Sequence, residues 1–204
     1  FGPGDDNPFT VVHEFGHYYA LRFDDTPVVS SVVNIDIAEV QSQGFEFVFS
    51  RFFDVIYGDA AEAMHAIKTI DMLEALISGF LVGEFEYTVL KNRDTFTPED
   101  VVECFEEIIG DFSPDMQLHY IPHIFEQPGY YISYGVSALA AFDIWKDCLD
   151  APDKAFEKYD NIAHVPCNSI DSTFCSVLEE SGFSDVLDKK YIENLADEIT
   201  DYAD

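Results

Sequence analysis

Two histidines and the glutamate that follows the first are the residues of this sequence whose types and spacing could most directly do chemistry. His13, Glu14 and His17 form the pattern H-E-x-x-H. On a helix, positions i and i+4 share a face, so both imidazoles could reach one metal ion and Glu14 could reach a water on it. The pattern is typical of zinc hydrolases. The alternative is a chance match between two ordinary half-buried histidines.

A catalytic zinc site needs a third protein ligand and keeps one position for water. Glu39 is our candidate because it lies in the first turn of the next predicted helix. Glu46 lies two turns further on nearly the same face, where it could accept a hydrogen bond from a ligating histidine. The alternative for Glu39 is an acid that only favours the start of its helix through the helix dipole.

A second group of polar aromatic residues lies further along the chain. His123 precedes a predicted helix that carries Tyr130, Tyr131 and Tyr134. Histidine and tyrosine donors aimed at a carbonyl group on a metal would stabilise the oxyanion that forms when water attacks. The alternative is aromatic packing in the core, which is the commoner fate of tyrosines on an apolar helix.

Apolar periodicity and capping residues predict helices along most of the chain. We expect Thr10 to cap the helix with the histidines, Asp36 to cap the next helix, and Thr97 with Pro98 to start a later one. The predicted helices are 10–23, 37–57, 60–90, 98–112, 128–149, 153–159, 169–180 and 188–202. Residues 26–35 are predicted to be a loop or a short strand, and the helix 60–90 to be central to the core. The expected fold class is all-α: a single zincin-like domain with little or no sheet.

The charge of the chain limits its partners. Its 204 residues include 40 Asp+Glu against 10 Lys+Arg, a net charge of −30, yet 48% are hydrophobic. That apolar content argues against a disordered acidic tail. The charge argues against binding to nucleic acid or to anionic membranes. We see no apolar run long enough to predict a membrane span.

The cysteines predict a reducing compartment. Cys104, Cys148, Cys167 and Cys175 form no C-x-x-C pair, so we expect structural thiols and a cytoplasmic protein. The chain starts at Phe1 rather than at methionine, so we expect residues 1–204 to be part of a longer protein.

These motifs together resemble a known family. HEFGH at 13–17, followed by EVQSQGFE at 39–46, resembles the thimet oligopeptidase and oligoendopeptidase F family of zinc metallopeptidases. IPH at 121–123 with PGYYISY at 128–134 is similar to that family's substrate-binding segment. SGFS at 181–184 and YIENL at 191–195 are similar to its closing helices. The resemblance therefore runs along nearly the whole chain, in order.

The resemblance implies a role for each candidate residue. It implies that zinc is held by the three ligands named above, His13, His17 and Glu39. Glu14 would be the general base that takes a proton from the bound water. His123 and a tyrosine, either Tyr134 or Tyr130, would bind the substrate and stabilise the oxyanion. The repeated tyrosine at 130–131 permits two alignments.

The resemblance also implies an activity and a partner. It implies a zinc-dependent endopeptidase that hydrolyses short oligopeptides in a deep helical channel. Residues 1–204 would be its C-terminal catalytic portion, and the missing N-terminal region would form the opposite wall of the channel. We expect residues 1–204 alone to be weakly active or inactive. One alternative is a catalytically silent peptide-binding module that retains the fold. Another is an acidic helical interaction protein with a chance motif.

Overall fold

A computed structural model describes residues 8–25, 34–166 and 173–203. Their helices are α1 Thr10–Leu21, α2 Ile35–Ser50, α3 Phe53–Tyr57, α4 Ala61–Lys91, α5 Pro98–Ile109, α6 Pro122–Glu126, α7 Ile132–Asp150, α8 Pro152–Ala163, α9 Phe174–Glu180 and α10 Lys189–Ala203. These three ranges contain no strand, so the predicted all-α class is confirmed. No helix in them is both long enough and apolar enough to cross a membrane.

The start of α5 follows from its sequence. The Thr97 hydroxyl accepts a hydrogen bond from the Asp100 amide at 3.3 Å, and the Asp100 carboxylate accepts one from the Thr97 amide at 2.7 Å. This reciprocal pair is a capping box, and Pro98 follows it at the first helical position. The prediction of a helix start at this place is confirmed.

Two other predicted caps were wrong. Thr10 is the first residue of α1, and Phe9 is the N-cap residue, without a side-chain capping hydrogen bond. Asn34, not Asp36, caps α2: its side-chain oxygen accepts from the Ile37 amide at 3.3 Å. Asp36 falls inside the first turn, where its charge favours the helix dipole instead. The rest of the predicted loop or strand, residues 26–33, lies outside the described residues.

Two predicted helix boundaries also differ. The predicted helix 37–57 is divided by a turn at Arg51 and Phe52 into α2 and α3. The helix predicted from Pro128 begins instead at Ile132, after a turn in which Gly129 adopts φ 83°. Pro122 rather than Pro128 starts a short helix, α6. The aromatic residues 130 and 131 therefore precede α7.

The centre of the molecule is the α2–α7 pair, not α4 as predicted. Phe47 of α2 and Phe142 of α7 are fully buried, with ring centroids 5.5 Å apart. Helices α1, α4 and α8 pack around this pair. On α4, Ile67 and Ile70 are 49% and 56% exposed, so its apolar surface is only partly covered. An all-round apolar pattern did not mean burial on all sides here.

The buried part of α2 is unusually polar, and its polar groups bond to neighbouring elements. The Gln41 side-chain amide donates to the Ile162 and Val165 carbonyls at 3.0 and 2.9 Å. The Gln43 side-chain oxygen accepts from the Ser137 hydroxyl of α7 at 2.7 Å. Because buried polar groups are costly unless they are hydrogen-bonded, these bonds fix the rotation of α2 about its own axis.

A glycine pair lets α4 approach α7 closely. A Cβ at Gly79 would lie 2.3 Å from the Gly135 backbone nitrogen, closer than real atoms pack. The backbones can therefore meet only because both residues lack side chains. This crossing lies directly beside Tyr134, the residue before Gly135.

The C-terminal helices are tied to the core by a buried carboxylate. Asp143 of α7 accepts from the Lys158 amine at 2.6 Å, from the Tyr191 hydroxyl at 3.0 Å and from the Ser184 amide at 3.1 Å. Burial alone would raise the pKa of Asp143, but the bonds from Lys158 and Ser184 hold it below its usual value. The ionised carboxylate thus joins α7, α8 and α10.

Candidate metal centre

The candidate site forms where α1 crosses α2, and a glycine sets how closely they cross. A Cβ at Gly16 would lie 2.7 Å from the Ser42 Cα and 2.9 Å from the Gln41 carbonyl oxygen. Only glycine fits this contact, so the two backbones meet here. On α2, Glu39 and Glu46 lie about one turn to either side of Ser42, and they face the α1 histidines.

Three side chains meet at this crossing. The Glu39 Oε2 atom lies 3.3 Å from His13 Nε2 and 3.8 Å from His17 Nε2, and the three ligand atoms all lie within 4.8 Å of one another. Ligands held at about 2.1 Å around a tetrahedral zinc are roughly 3.4 Å apart. Glu39 is 2% exposed, so this carboxylate is buried against two imidazoles. The group could hold a metal ion.

The charges of the site are coupled. Burial lowers the pKa of His13, but hydrogen bonds with Glu39 and Glu46 outweigh it and raise that pKa to about 9. Burial is the main reason that the pKa of His17 is lowered. Burial raises the pKa of Glu39, but hydrogen bonds with His13 and Tyr130 lower it overall. A metal would therefore compete with a proton on His13.

Glu46 orients the first histidine. His13 Nδ1 donates to Glu46 Oε1 at 2.8 Å, which leaves Nε2 directed at Glu39. Glu46 is 5% exposed, and its second oxygen contacts the Lys68 amine. A carboxylate bonded to the far nitrogen of an imidazole fixes the ring and the tautomer, as in many metal sites. The structure places Glu46 where the sequence analysis expected a supporting carboxylate.

Tyr130 bonds to the candidate ligand rather than facing an open space. Its hydroxyl donates to Glu39 Oε1 at 2.6 Å, while Oε2 faces the two histidines. Ser42 also donates to Oε2, at 3.3 Å. Sequence reasoning did not foresee the Tyr130–Glu39 bond, because the two residues are 91 positions apart and no local pattern joins them.

His123 and Tyr134 complete an aromatic cluster beside this bond. The His123 ring stacks on Tyr130 at 5.0 Å, and Tyr134 lies edge-on to His123 at 5.9 Å. Among the described residues His123 Nδ1 is buried without a hydrogen-bond partner. Burial, with the charge of Glu39, raises the pKa of Tyr134 to about 12, so its hydroxyl keeps its proton. The cluster therefore offers a neutral donor and an unsatisfied imidazole nitrogen.

Glu14 is the one candidate residue that is exposed. It lies on α1 between the histidines, and its charge acts on both His17 and Tyr134. A carboxylate in this position is available to exchange protons with groups that enter from solvent.

A cavity of about 290 Å³ adjoins the site. Its lining is mostly polar or aromatic and includes His13, Gln43, Glu46, Lys68, Tyr131 and Tyr134. The sequence analysis missed Lys68. A lysine within the apolar part of α4 was the available signal, since lysine is seldom buried without a partner.

Comparisons with known proteins identify the fold. No family model and no curated protein matches the chain. An oligoendopeptidase F structure matches with a TM-score of 0.77 and 20% identity over 94% of this chain and 35% of that one. PZ peptidase A with an inhibitor matches with a TM-score of 0.80 and 18% identity, over 95% of this chain and 36% of that one. An oligoendopeptidase F from Bacillus anthracis matches with a TM-score of 0.75 and 20% identity, over 95% of this chain and 33% of that one. The chain spans about a third of each and shares the helical fold of that part of these peptidase structures.

Proposed function

We propose that this chain is the zinc-binding catalytic portion of a peptidase that hydrolyses short oligopeptides. The observation that carries the proposal is the meeting of His13, His17 and Glu39 at one point, with one ligand atom of each within 4.8 Å of the others. The peptidase-like fold supports it independently, because the three solved structures with this fold are named as peptidases.

The donor set fits zinc. Two imidazole nitrogens and one carboxylate oxygen are the ligands of many catalytic zinc sites, and Glu46 on His13 Nδ1 supplies the usual support. Zinc bound there would lower the pKa of a bound water to ~7 and would polarise a substrate carbonyl. We assign the proton transfers, substrate binding and stabilisation of the oxyanion to the side chains around the ion.

Glu14 is the proposed general base. Its exposed carboxylate can take a proton from the attacking water and return it to the leaving amine. Such help typically contributes ~10²–10⁴-fold to the rate. The other nearby carboxylates are less suited, because Glu39 and Glu46 are buried and already bonded to histidines.

Tyr134 is the proposed oxyanion donor, with His123 as the substrate-binding partner. Tyr134 keeps its proton and His123 has an unsatisfied buried nitrogen. Tyr130 is already bonded to Glu39, which favours Tyr134 over Tyr130 for this role. Loss of one such donor costs about 3–4 kcal/mol of transition-state stabilisation in other hydrolases.

We further propose that residues 1–204 are the C-terminal catalytic portion of a longer enzyme whose N-terminal region closes the site. The match to only a third of each solved peptidase supports a longer enzyme. The outer face of α1 supports a region that covers it, because its apolar side chains are each about half exposed or more: Val11, Phe15, Tyr18 and Leu21. A contiguous apolar face beside a functional site commonly marks a surface that another segment covers.

Cleavage of an internally quenched oligopeptide by the zinc-loaded chain tests the proposal. We expect weak, zinc-dependent cleavage that falls at least about 10²-fold in Glu14→Gln. The matched control is Glu193→Gln, an exposed acid on α10, which should cleave like the wild type. Equal cleavage by wild type and Glu14→Gln would contradict the assignment. Zinc and peptide binding without any cleavage would favour the silent peptide-binding module.

A further inference from the structure

Lys68 of α4 is a buried lysine outside the proposed ligand set. It is 1% exposed. Its amine contacts Glu46 Oε2, lies 2.5 Å from Asp71 Oδ2, and sits 4.6 Å above the centre of the Phe9 ring. Taking an ammonium group out of water is costly, so a buried lysine keeps its charge only where anionic partners are held beside it. This environment suits a fixed, charged amine.

Glu46 links Lys68 to the metal centre. One carboxylate oxygen accepts from His13 Nδ1 at 2.8 Å and the other accepts from the Lys68 amine. The two contacts come from different helices, α1 and α4, and each holds one of the two carboxylate oxygens. The direction in which His13 presents its Nε2 atom therefore depends on a residue that does not touch His13.

We propose that Lys68 is a positioning residue of the metal site, which holds the Glu46 carboxylate so that His13 directs Nε2 at the point shared with His17 and Glu39. The inference rests on the proposed function, because it assumes that zinc binds there. Groups in this outer position commonly change metal affinity by ~10–100-fold when they are removed.

The competing explanation is that Lys68 only neutralises a buried carboxylate and contributes to stability alone. Lys158 of α8 offers a matched control for that explanation. It is 5% exposed and pairs with Asp143 at 2.6 Å and with Asp147, among residues that take no part in the metal centre. Removal of either lysine breaks a buried ion pair, but only Lys68 is connected to a proposed zinc ligand.

Two measurements separate the explanations. The first is zinc affinity, measured by competition with a chromophoric chelator, and the second is the melting temperature of the zinc-free chain. We expect Lys68→Met to weaken zinc binding ~10–100-fold. We expect Lys68→Arg, which keeps the positive charge and the donors, to recover most of that loss. Lys158→Met should lower the melting temperature and leave zinc affinity unchanged.

Zinc affinity in Lys68→Met equal to that of the wild type would overturn this inference alone. An equal loss in Lys68→Met and Lys158→Met would also overturn it, because the effect would then be general destabilisation. If Lys68→Met does not fold, Lys68→Gln and Lys68→Arg decide: equal zinc affinity in both contradicts the proposal, and weaker binding in Lys68→Gln supports it. A wild-type chain that binds no zinc would overturn both this inference and the proposed function.

Discussion

At the scale of residues, the site depends on two carboxylates that each use their two oxygens differently. Glu39 turns Oε2 to the histidines and Oε1 to the Tyr130 hydroxyl. Glu46 turns Oε1 to His13 and Oε2 to Lys68. In each case the second oxygen is held by a donor from a distant part of the chain. We call these two donors, the Tyr130 hydroxyl and the Lys68 amine, the anchors. They help to fix the direction of the carboxylate oxygens that face the histidines.

Tyr130→Phe tests the anchor on Glu39. The substitution removes one hydroxyl, and with it the 2.6 Å hydrogen bond that fixes the carboxylate. We expect zinc affinity to fall by about 10-fold, in the range typical of supporting groups. Tyr131→Phe is the control, since Tyr131 interacts with Ser78 on α4 instead. A chelator titration of both variants makes the comparison, and equal affinities would show that the Glu39 anchor is not needed.

Residue type and spacing were enough to select the proposed ligands but not their anchors. His13 and His17 share a helix face by local geometry, and Glu39 was expected near the start of the next helix, so a sequence pattern can select all three. The structure starts α2 at Ile35, which puts Glu39 in the second turn rather than the first. The bond from Tyr130 to Glu39 joins residues 91 positions apart, and the one from Lys68 to Glu46 joins residues 22 positions apart. Such contacts depend on how whole helices rotate and cross, which no local pattern encodes.

At the scale of elements, the crossing of α1 over α2 brings the proposed ligands together. Its closest point is Gly16, where an added Cβ would meet the α2 backbone at 2.7 Å. The neighbour at that point is the Cα of Ser42, which cannot rotate away as a side chain could. The separation of the two helices is therefore set by the absence of a single methyl group.

Gly16→Ala should separate these helices. Inside an exposed helix, alanine in place of glycine would add about 1 kcal/mol of stability. Here we expect the opposite sign, a loss of about 1–3 kcal/mol, because the new methyl group overpacks the crossing. Denaturant unfolding of the zinc-free chain measures this change in the free energy of unfolding. The control is Val11→Ala, at an exposed position of α1. A more stable Gly16→Ala would contradict the close contact.

The boundaries of elements were predicted where a strong local signal existed and missed where none did. Thr97, Pro98 and Asp100 specify a helix start within four consecutive positions, and the structure has it. The turn at Arg51 and Phe52 has neither glycine nor proline to announce it. Pro128 is an ambiguous signal, because a proline fits a turn as well as a first helical position. Tertiary packing decides such cases.

At the scale of the whole molecule, the dominant feature is negative charge. The net charge is −30, and two of the few cations, Lys68 and Lys158, are buried in ion pairs. These lysines pair with the buried carboxylates Glu46 and Asp143, so nearly all of the net negative charge remains on the surface. Mutual repulsion of like charges opposes the compact state, and mobile ions screen it.

Salt should therefore stabilise this chain. We expect its melting temperature to rise when sodium chloride is raised from about 0.05 to about 0.5 M, because the screening length falls well below the spacing of surface charges. Sodium chloride is preferred to sulfate, which strengthens hydrophobic burial by itself. A melting temperature that fell across this range would mean that surface ion pairs outweigh the repulsion.

The most direct test of the central claim is to locate zinc by anomalous X-ray scattering in crystals grown with one equivalent of the metal. The account predicts one peak per chain, ~2.0–2.2 Å from His13 Nε2, His17 Nε2 and a Glu39 oxygen, and no peak there in His17→Ala. The control His164→Ala changes an exposed histidine outside the ligand set and should keep the peak. A wild-type peak at any other place, or no peak at these three residues, would contradict the account.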